Sequence, residues 1–305
     1  MADLIPFVMF LVACLVLMAG YPVAFSLAGT ALLFALVGTV TGHFDMAFLQ
    51  ALPNRLFGTM ENTTLIAVPL FILMGVMLEK SRLSEDLLES MADLFGGFRS
   101  GLGISVVFVG ALLAASTGIV GATVVTMGLM SLPTMLKRGY SPAQSTGLIA
   151  ATGTLGQIIP PSIALVLLGD TLSSAYQQAQ LNMGIFTPKT ISIGDLFVGA
   201  IVPGLILVVF YCLYLVTFSR PATIVNGEYK VGERSLSRAM KNLLPPIFLI
   251  VTVLGSILAG LATPTEAAGV GAFGATALAL AKGQLNIQKL REVAQATTQV
   301  TSMVF

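Results

Sequence analysis

What most limits the fold of this chain is the length and spacing of its apolar runs. They fall at 4–19, 22–41, 64–80, 194–219, 242–261 and 265–281, each near the roughly 20 helical residues that cross a bilayer. Of 305 residues, 56% are hydrophobic and 10% charged, against about 25% charged in an ordinary soluble domain. A water-soluble fold of this size needs more polar surface to cover a core. The expected class is all-α, a polytopic membrane protein. Gly20-Tyr21-Pro22 alone separates the first two runs, which predicts a tight helical hairpin. The opening Met1-Ala2-Asp3-Leu4 lacks the positive region of a cleaved leader, so the first run is read as a retained span.

Charge and rare residues narrow the chemistry. A net charge of +1 offers no basic face, so no nucleic-acid partner is expected. Cys14 and Cys212 lie inside apolar runs and read as small hydrophobes. The single histidine, His43, lies outside the strongest runs, which leaves little room for histidine-based metal or triad chemistry. An intramembrane protease would need a membrane histidine beside its serine, an HExxH motif or two membrane aspartates. The sequence has neither of the first two, and Asp170 is placed at the outer interface. The chain is therefore read as a non-enzyme.

Two segments do not read as ordinary spans. Residues 101–136 are apolar throughout but interrupted at Ala115-Ser116-Thr117-Gly118 and Gly121-Ala122-Thr123, which predicts a re-entrant hairpin turning near Ser116. Residues 142–175 are interrupted from Gly153 through Gln157 and Pro160-Pro161 to Ser162, which predicts one span broken in its middle. The stretch 83–98 alternates acids and leucines in the manner of a surface helix. Residues 176–193 and 220–241 read as polar loops.

The charge distribution fits this layout. One side of the membrane would carry Lys80, Arg82, Arg99, Lys137, Arg138, Arg220, Lys230, Arg234, Arg238, Lys241, Lys282, Lys289 and Arg291, the other only Arg55 and Lys189. This asymmetry marks the first side as cytoplasmic, provided that 101–136 enters and leaves there. The N-terminus then lies outside the cytoplasm.

Broken backbone at membrane depth is tolerated only where protein or a water-filled cavity surrounds it. Transporters use such breaks to bind ions through freed carbonyls and hydroxyls, and anions through half-helix N-termini. Here the hairpin offers Ser116, Thr117 and Thr123 beside Gly118 and Gly121. The break offers Gly153, Thr154 and Gly156 ahead of a Pro-Pro that lacks two amide donors. Oxygen ligands without a carboxylate suit a monovalent cation better than Ca²⁺. The competing reading is that these are helix-packing residues; it is weakest where two interrupted segments are adjacent in sequence. Ser141-Pro142-Ala143-Gln144 and Thr263-Pro264-Thr265-Glu266 match capping boxes and are expected to start helices.

The stretch from Ala114 to Asp170, with Lys137-Arg138-Gly139-Tyr140, the Gly153-to-Ser162 break and the later Ala262-Thr263-Pro264-Thr265-Glu266-Ala267-Ala268, resembles the large (M) permease subunit of tripartite ATP-independent periplasmic (TRAP) transporters, the DctM-like dicarboxylate permeases. The resemblance implies an elevator-type importer of a small organic acid in a bacterial inner membrane, with Na⁺ as coupling ion and no other cofactor. It also implies a small membrane (Q) subunit and a periplasmic solute-binding protein (P). An Na⁺ site would lie between hairpin and break, at Ser116, Thr117, Gly118, Thr123, Gly156, Ile159 and Pro161. Gly121, Gly153, Thr154 and Ser162 are candidates for the substrate side. An elevator-type symporter working without a binding protein is the alternative within transport.

The family carries a second, inverted half. Ala296-Thr297-Thr298-Gln299-Val300 echoes Asn62-Thr63-Thr64-Leu65-Ile66, so a second repeat is expected to begin near the last residue, Phe305. The expected organisation is a scaffold hairpin and linker (1–63), a first transport repeat (64–175), a loop with scaffold helices (176–294) and the start of a second repeat (295–305).

Overall fold

Each apolar run folds into helix for the reason bilayers impose: a backbone deprived of water must satisfy its N–H and C=O groups within the segment. In a computed structural model, the residues described are 4–81, 83–95, 100–118, 120–219 and 236–305. All regular structure among them is helical, so the protein is an all-α polytopic membrane protein. Among the described residues three helices are both long and apolar enough to cross a membrane: α2 (Val23–Val40), α11 (Ile193–Phe218) and the Met240–Leu258 part of α12 (Leu236–Leu258). The charges at Arg82, Arg99, Arg220, Lys230 and Arg234 lie outside the described residues, as does the side chain of Arg238.

The described chain forms two units. The smaller comprises Met1–Asn62 with Thr298–Phe305. In it α1 (Ile5–Met18) and α2 pair as a hairpin, turning at Gly20 in the left-handed region (φ 86°) that favours glycine. Their apolar side chains face outward, Phe7, Phe10, Phe25 and Val40 among them, the inverse of a soluble fold. The hydroxyls of α2 turn back on their own helix: Ser26 donates to Pro22 O at 3.0 Å, Thr30 to Ser26 O at 2.7 Å and Thr39 to Ala35 O at 2.9 Å. Residues 42–61, read only as a linker, contain a short α3 (Ala47–Gln50) and an amphipathic α4 (Leu52–Glu61).

The larger unit spans Thr63–Thr297. At its centre α5 (Ala67–Lys80) packs on α13 (Pro264–Ala281), whose buried face is Ala267, Ala268, Gly271, Ala272, Ala275 and Ala279. Small residues let the helices approach: a Cβ on Gly271 would sit 2.6 Å from Met74 Sδ. Helix α6 (Leu83–Phe95) buries Leu87, Leu88 and Met91 against protein, packing on α7 and α12, while Asp86 pairs with Lys282 at 2.8 Å. Those three side chains therefore pack on protein.

The interrupted regions fold as helix–turn–helix and helix–break–helix. Helices α7 (Gly101–Thr117) and α8 (Val120–Lys137) form the hairpin. Its two ends lie together, because the buried Tyr140 hydroxyl just after α8 accepts a hydrogen bond from Gly103 N at the start of α7, 3.2 Å away. Ser105 donates to Met91 O and Ser100 to Leu215 O, which fastens that end to α6 and α11. The broken span is α9 (Pro142–Thr154), a 3-10 turn (Leu155–Gln157) and α10 (Ile163–Asn182).

Several boundaries differ from expectation. Helix α10 runs to Asn182, so the polar loop read at 176–193 begins seven positions late; α12 starts at Leu236, inside the loop read at 220–241.

Candidate functional site

The hairpin tip and the break meet. Helix α7 stops at Thr117 because Gly118 adopts φ 59°, the left-handed close that ends many helices. A Cβ on Gly118 would lie 3.2 Å from Ile163 Cγ1, so the tip rests on the first turn of α10. From the break, Gln157 Nε2 donates to Gly118 O at 2.8 Å. This one side chain spans the gap between the two interrupted elements.

The break is built by removal of donors. Pro160 and Pro161, joined by a cis peptide bond, contribute no N–H, so the helical ladder ends and carbonyls just before them lose their partners. Ile158 N and Ile159 N both reach Leu155 O, at 2.9 and 2.7 Å, closing the turn. The fully buried Ser162 then acts twice. Its Oγ donates to Gln157 O at 2.8 Å, the carbonyl a helical Pro161 N–H would have served, and accepts from Leu165 N at 3.3 Å as the N-cap of α10.

Most of the residues singled out from the sequence fall in or beside this junction. Gly118, Thr123, Gly153, Gly156, Pro161 and Ser162 are buried, and Ile159 is half-buried against Gly204, where a Cβ would come within 2.8 Å of Ile159 Cγ1. Gly153 meets Val124 of α8 so closely that a Cβ would collide with it, and a Cβ on Gly110 would lie 2.8 Å from Thr152 Cβ. Both hairpin arms are thus pressed onto α9. Gly121 and Thr154 are exposed at the edge; Thr154 Oγ1 donates to Ala151 O at 2.7 Å. Ser116 and Thr117 end α7 at the tip, but their side chains lie outside the described residues.

The cap residues behave as starts of helices. Thr263 and Glu266 form a complete capping box, with Thr263 N donating to Glu266 Oε2 at 2.8 Å and Glu266 N to Thr263 Oγ1 at 3.3 Å. Thr265 Oγ1 donates to Thr63 O at 2.8 Å, tying the start of α13 to the turn before α5. Ser141 caps α9 by accepting from Gln144 N at 3.2 Å, while the Gln144 side chain turns away to accept from Ser219 Oγ at 3.3 Å. Asp170 lies within α10, which continues past it to Asn182, and lines a cavity of about 600 Å³ with Thr63, Ser173, Ser192, Thr263 and Glu266.

Sequence reading missed two residues. Gln157 was passed over inside the Gly/Pro-rich break, although a long amide at membrane depth must find a partner. Glu79, half-buried on α5, accepts from Thr126 Oγ1 of α8 at 2.8 Å, and a lone acid near the end of an apolar run was the available signal.

The arrangement brings the Gly118 carbonyl and the buried Ser162 hydroxyl to one junction between packed helices, and oxygens of this kind suit a small monovalent cation. The sequence matches the family described as "Tripartite ATP-independent periplasmic transporter, DctM component" over residues 7–305. Among curated relatives, a C4-dicarboxylate TRAP transporter large permease protein DctM of Vibrio cholerae is 31% identical over 265 residues, 87% of this chain and 53% of the relative. Its Rhodobacter capsulatus counterpart is 32% identical, covering 84% and 56%. The ectoine TRAP transporter large permease protein TeaC of Halomonas elongata is 28% identical, covering 95% and 63%. The chain spans about half to two-thirds of the length of these relatives.

Proposed function

We propose that this chain, which belongs to the DctM component family of tripartite ATP-independent periplasmic transporters, is the permease part of an importer that carries a small organic acid across a bacterial inner membrane, coupled to Na⁺. The observation that carries the reading is the junction of hairpin tip and broken helix through Gln157 and Gly118. Two interrupted helices that meet at a carbonyl and a buried hydroxyl are what an ion-coupled carrier needs at membrane depth. Ser116, Thr117, Gly118, Thr123, Gly156, Ile159 and Pro161 are the proposed ion-site residues. Gly121, Gly153, Thr154 and Ser162 form the proposed substrate side.

Names of relatives support the substrate class. They include C4-dicarboxylate and ectoine permeases and, in Oleidesulfovibrio alaskensis, an isethionate permease named DctMQ. The last supports partnership with a small Q component; a periplasmic binding protein completes the proposed assembly. In this reading the chain binds and moves its solute and makes or breaks no bond in it. The elevator mechanism is proposed on the same grounds: a tip and a break that travel together carry the site with them.

The test is uptake by the full permease with its partners in liposomes. A labelled C4-dicarboxylate should accumulate only when binding protein and an inward Na⁺ gradient are both supplied. Accumulation indifferent to Na⁺ overturns the coupling, and accumulation without binding protein overturns the three-part assembly.

A further inference from the structure

We propose that Gln157 is the positioning residue of the ion site, the clasp that fixes the hairpin tip against the broken helix. The inference rests on the reading of the junction as an Na⁺ site. Gln157 is held at both ends. Its carbonyl accepts from Ser162 Oγ at 2.8 Å, and its side-chain Nε2 donates to Gly118 O at 2.8 Å. Ser162 in turn caps α10 through Leu165 N. A continuous chain of hydrogen bonds therefore runs from the first turn of α10, through the break, to the carbonyl at the tip.

What this chain fixes is the direction of one oxygen. The Gly118 carbonyl follows a left-handed residue, where the helical ladder no longer restrains it. A carbonyl oxygen has two lone pairs, so accepting from the amide leaves one for a cation. Gln157 thereby aims a ligand it does not replace. The side chain also sets the spacing: its length joins the turn Leu155–Gln157 to Gly118 while Ile163 bounds the tip on the other side, 3.2 Å from where a Gly118 Cβ would be.

Three substitutions separate positioning from bulk. Gln157→Leu keeps the volume and removes the donor. Gln157→Asn keeps the amide but shortens the reach. Gln157→Glu makes the donor depend on a proton, since only the protonated carboxyl can donate to Gly118 O. With partners in liposomes, Gln157→Leu and Gln157→Asn should raise the half-saturating Na⁺ concentration about five-fold, the equivalent of one hydrogen bond, with maximal uptake retained. Gln157→Glu should match wild type at acidic pH and behave differently at alkaline pH, a pH dependence of Na⁺ half-saturation that wild type lacks.

A second measurement is independent of ion coupling. Backbone amide exchange of the peptide spanning 113–123, in the purified assembly without Na⁺, should quicken in Gln157→Leu, and in Gln157→Glu only at alkaline pH. Unchanged exchange at the tip in both variants overturns the clasp, whatever uptake does. Quickened exchange with an unmoved Na⁺ half-saturation overturns its role in the ion site. If wild-type uptake is itself indifferent to Na⁺, the ion reading falls, and the tip exchange alone decides the clasp.

Discussion

The Thr126 hydroxyl donates to the Glu79 carboxylate across 2.8 Å, joining the second arm of the hairpin to α5. A carboxylate at half-buried depth is tolerated where a donor meets it. Because α5 also packs on α13, the link extends the rigid centre of the larger unit to the arm that carries Thr123 and the tip. Thr126→Val removes the donor at nearly constant shape. It should lower stability by roughly 1–2 kcal/mol, since a half-buried acceptor loses this hydrogen bond. Thr126→Ser should retain most of it. Thermal unfolding of the two variants in detergent checks the difference.

Glycine contacts give a paired prediction. Gly153 lies so close to Val124 that any Cβ must push α8 from α9, whereas Gly121 faces open space. Gly153→Ala should cost about 1–3 kcal/mol through overpacking. Gly121→Ala should be neutral or slightly stabilising, because alanine favours helix over glycine. Equal effects of the two on the unfolding midpoint would contradict the observed packing.

Tyr140 supplies a pH prediction. Burial, the largest influence, holds its phenol above the usual value of 10.0, although the Gly103 N–H and the Arg138 charge act the other way. The proton is thus held more tightly in the folded protein. The stabilisation is fully present below pH 10, the unfolded value, and is lost as pH rises through the higher folded value. Alkaline unfolding followed above pH 10 should show this loss, and Tyr140→Phe should flatten it while weakening the hairpin base at neutral pH.

Orientation follows from charge and from the hairpin. With Cys14 and Cys212 replaced by alanine, cysteines at exposed Lys137 and Lys241 should react with a membrane-impermeant thiol reagent from the cytoplasmic side, and a cysteine at Asn182 from the periplasmic side. Reaction of positions 137 and 182 from one side would reverse the layout.

The long apolar helices and the two interruptions were legible because each has a direct signal, hydropathic length for the first and Gly, Ser, Thr or Pro-Pro within an apolar run for the second. Polar helices were not. Gln177, Gln178, Gln180 and Asn182 read as loop, yet α10 continues through them. There, buried Gln180 folds its amide onto Lys189, donating to the carbonyl at 2.9 Å and accepting from the N–H at 3.0 Å. That side chain stands in for a backbone partner, and a contact nine residues away leaves no local pattern. Amphipathic α4 was lost for a similar reason, since Asn54, Arg55 and Glu61 dilute its apolar face. The Gln157 clasp was invisible because hydropathy cannot say which carbonyl a buried amide will find.

Ser162 tests how the break is held together. It is completely buried, and its hydroxyl serves two groups that the Pro-Pro sequence leaves exposed to loss: the Gln157 carbonyl, at 2.8 Å, and the Leu165 N–H at the start of α10, at 3.3 Å. Removing an N-cap costs about 1 kcal/mol. Leaving the carbonyl of half-buried Gln157 without this donor adds roughly 1 kcal/mol more. Ser162→Ala should therefore destabilise by more than a cap alone. Ser141→Ala is the matched control, since Ser141 is an exposed cap on α9 at the other end of the same broken span. It should lose about 1 kcal/mol and leave Na⁺ half-saturation as in wild type. Ser162→Ala should both unfold at a lower temperature than Ser141→Ala and raise the Na⁺ half-saturation, because the freed Gln157 backbone no longer anchors the side chain that aims the Gly118 carbonyl. Matching unfolding temperatures for the two alanine variants would mean that Ser162 is a cap and nothing more.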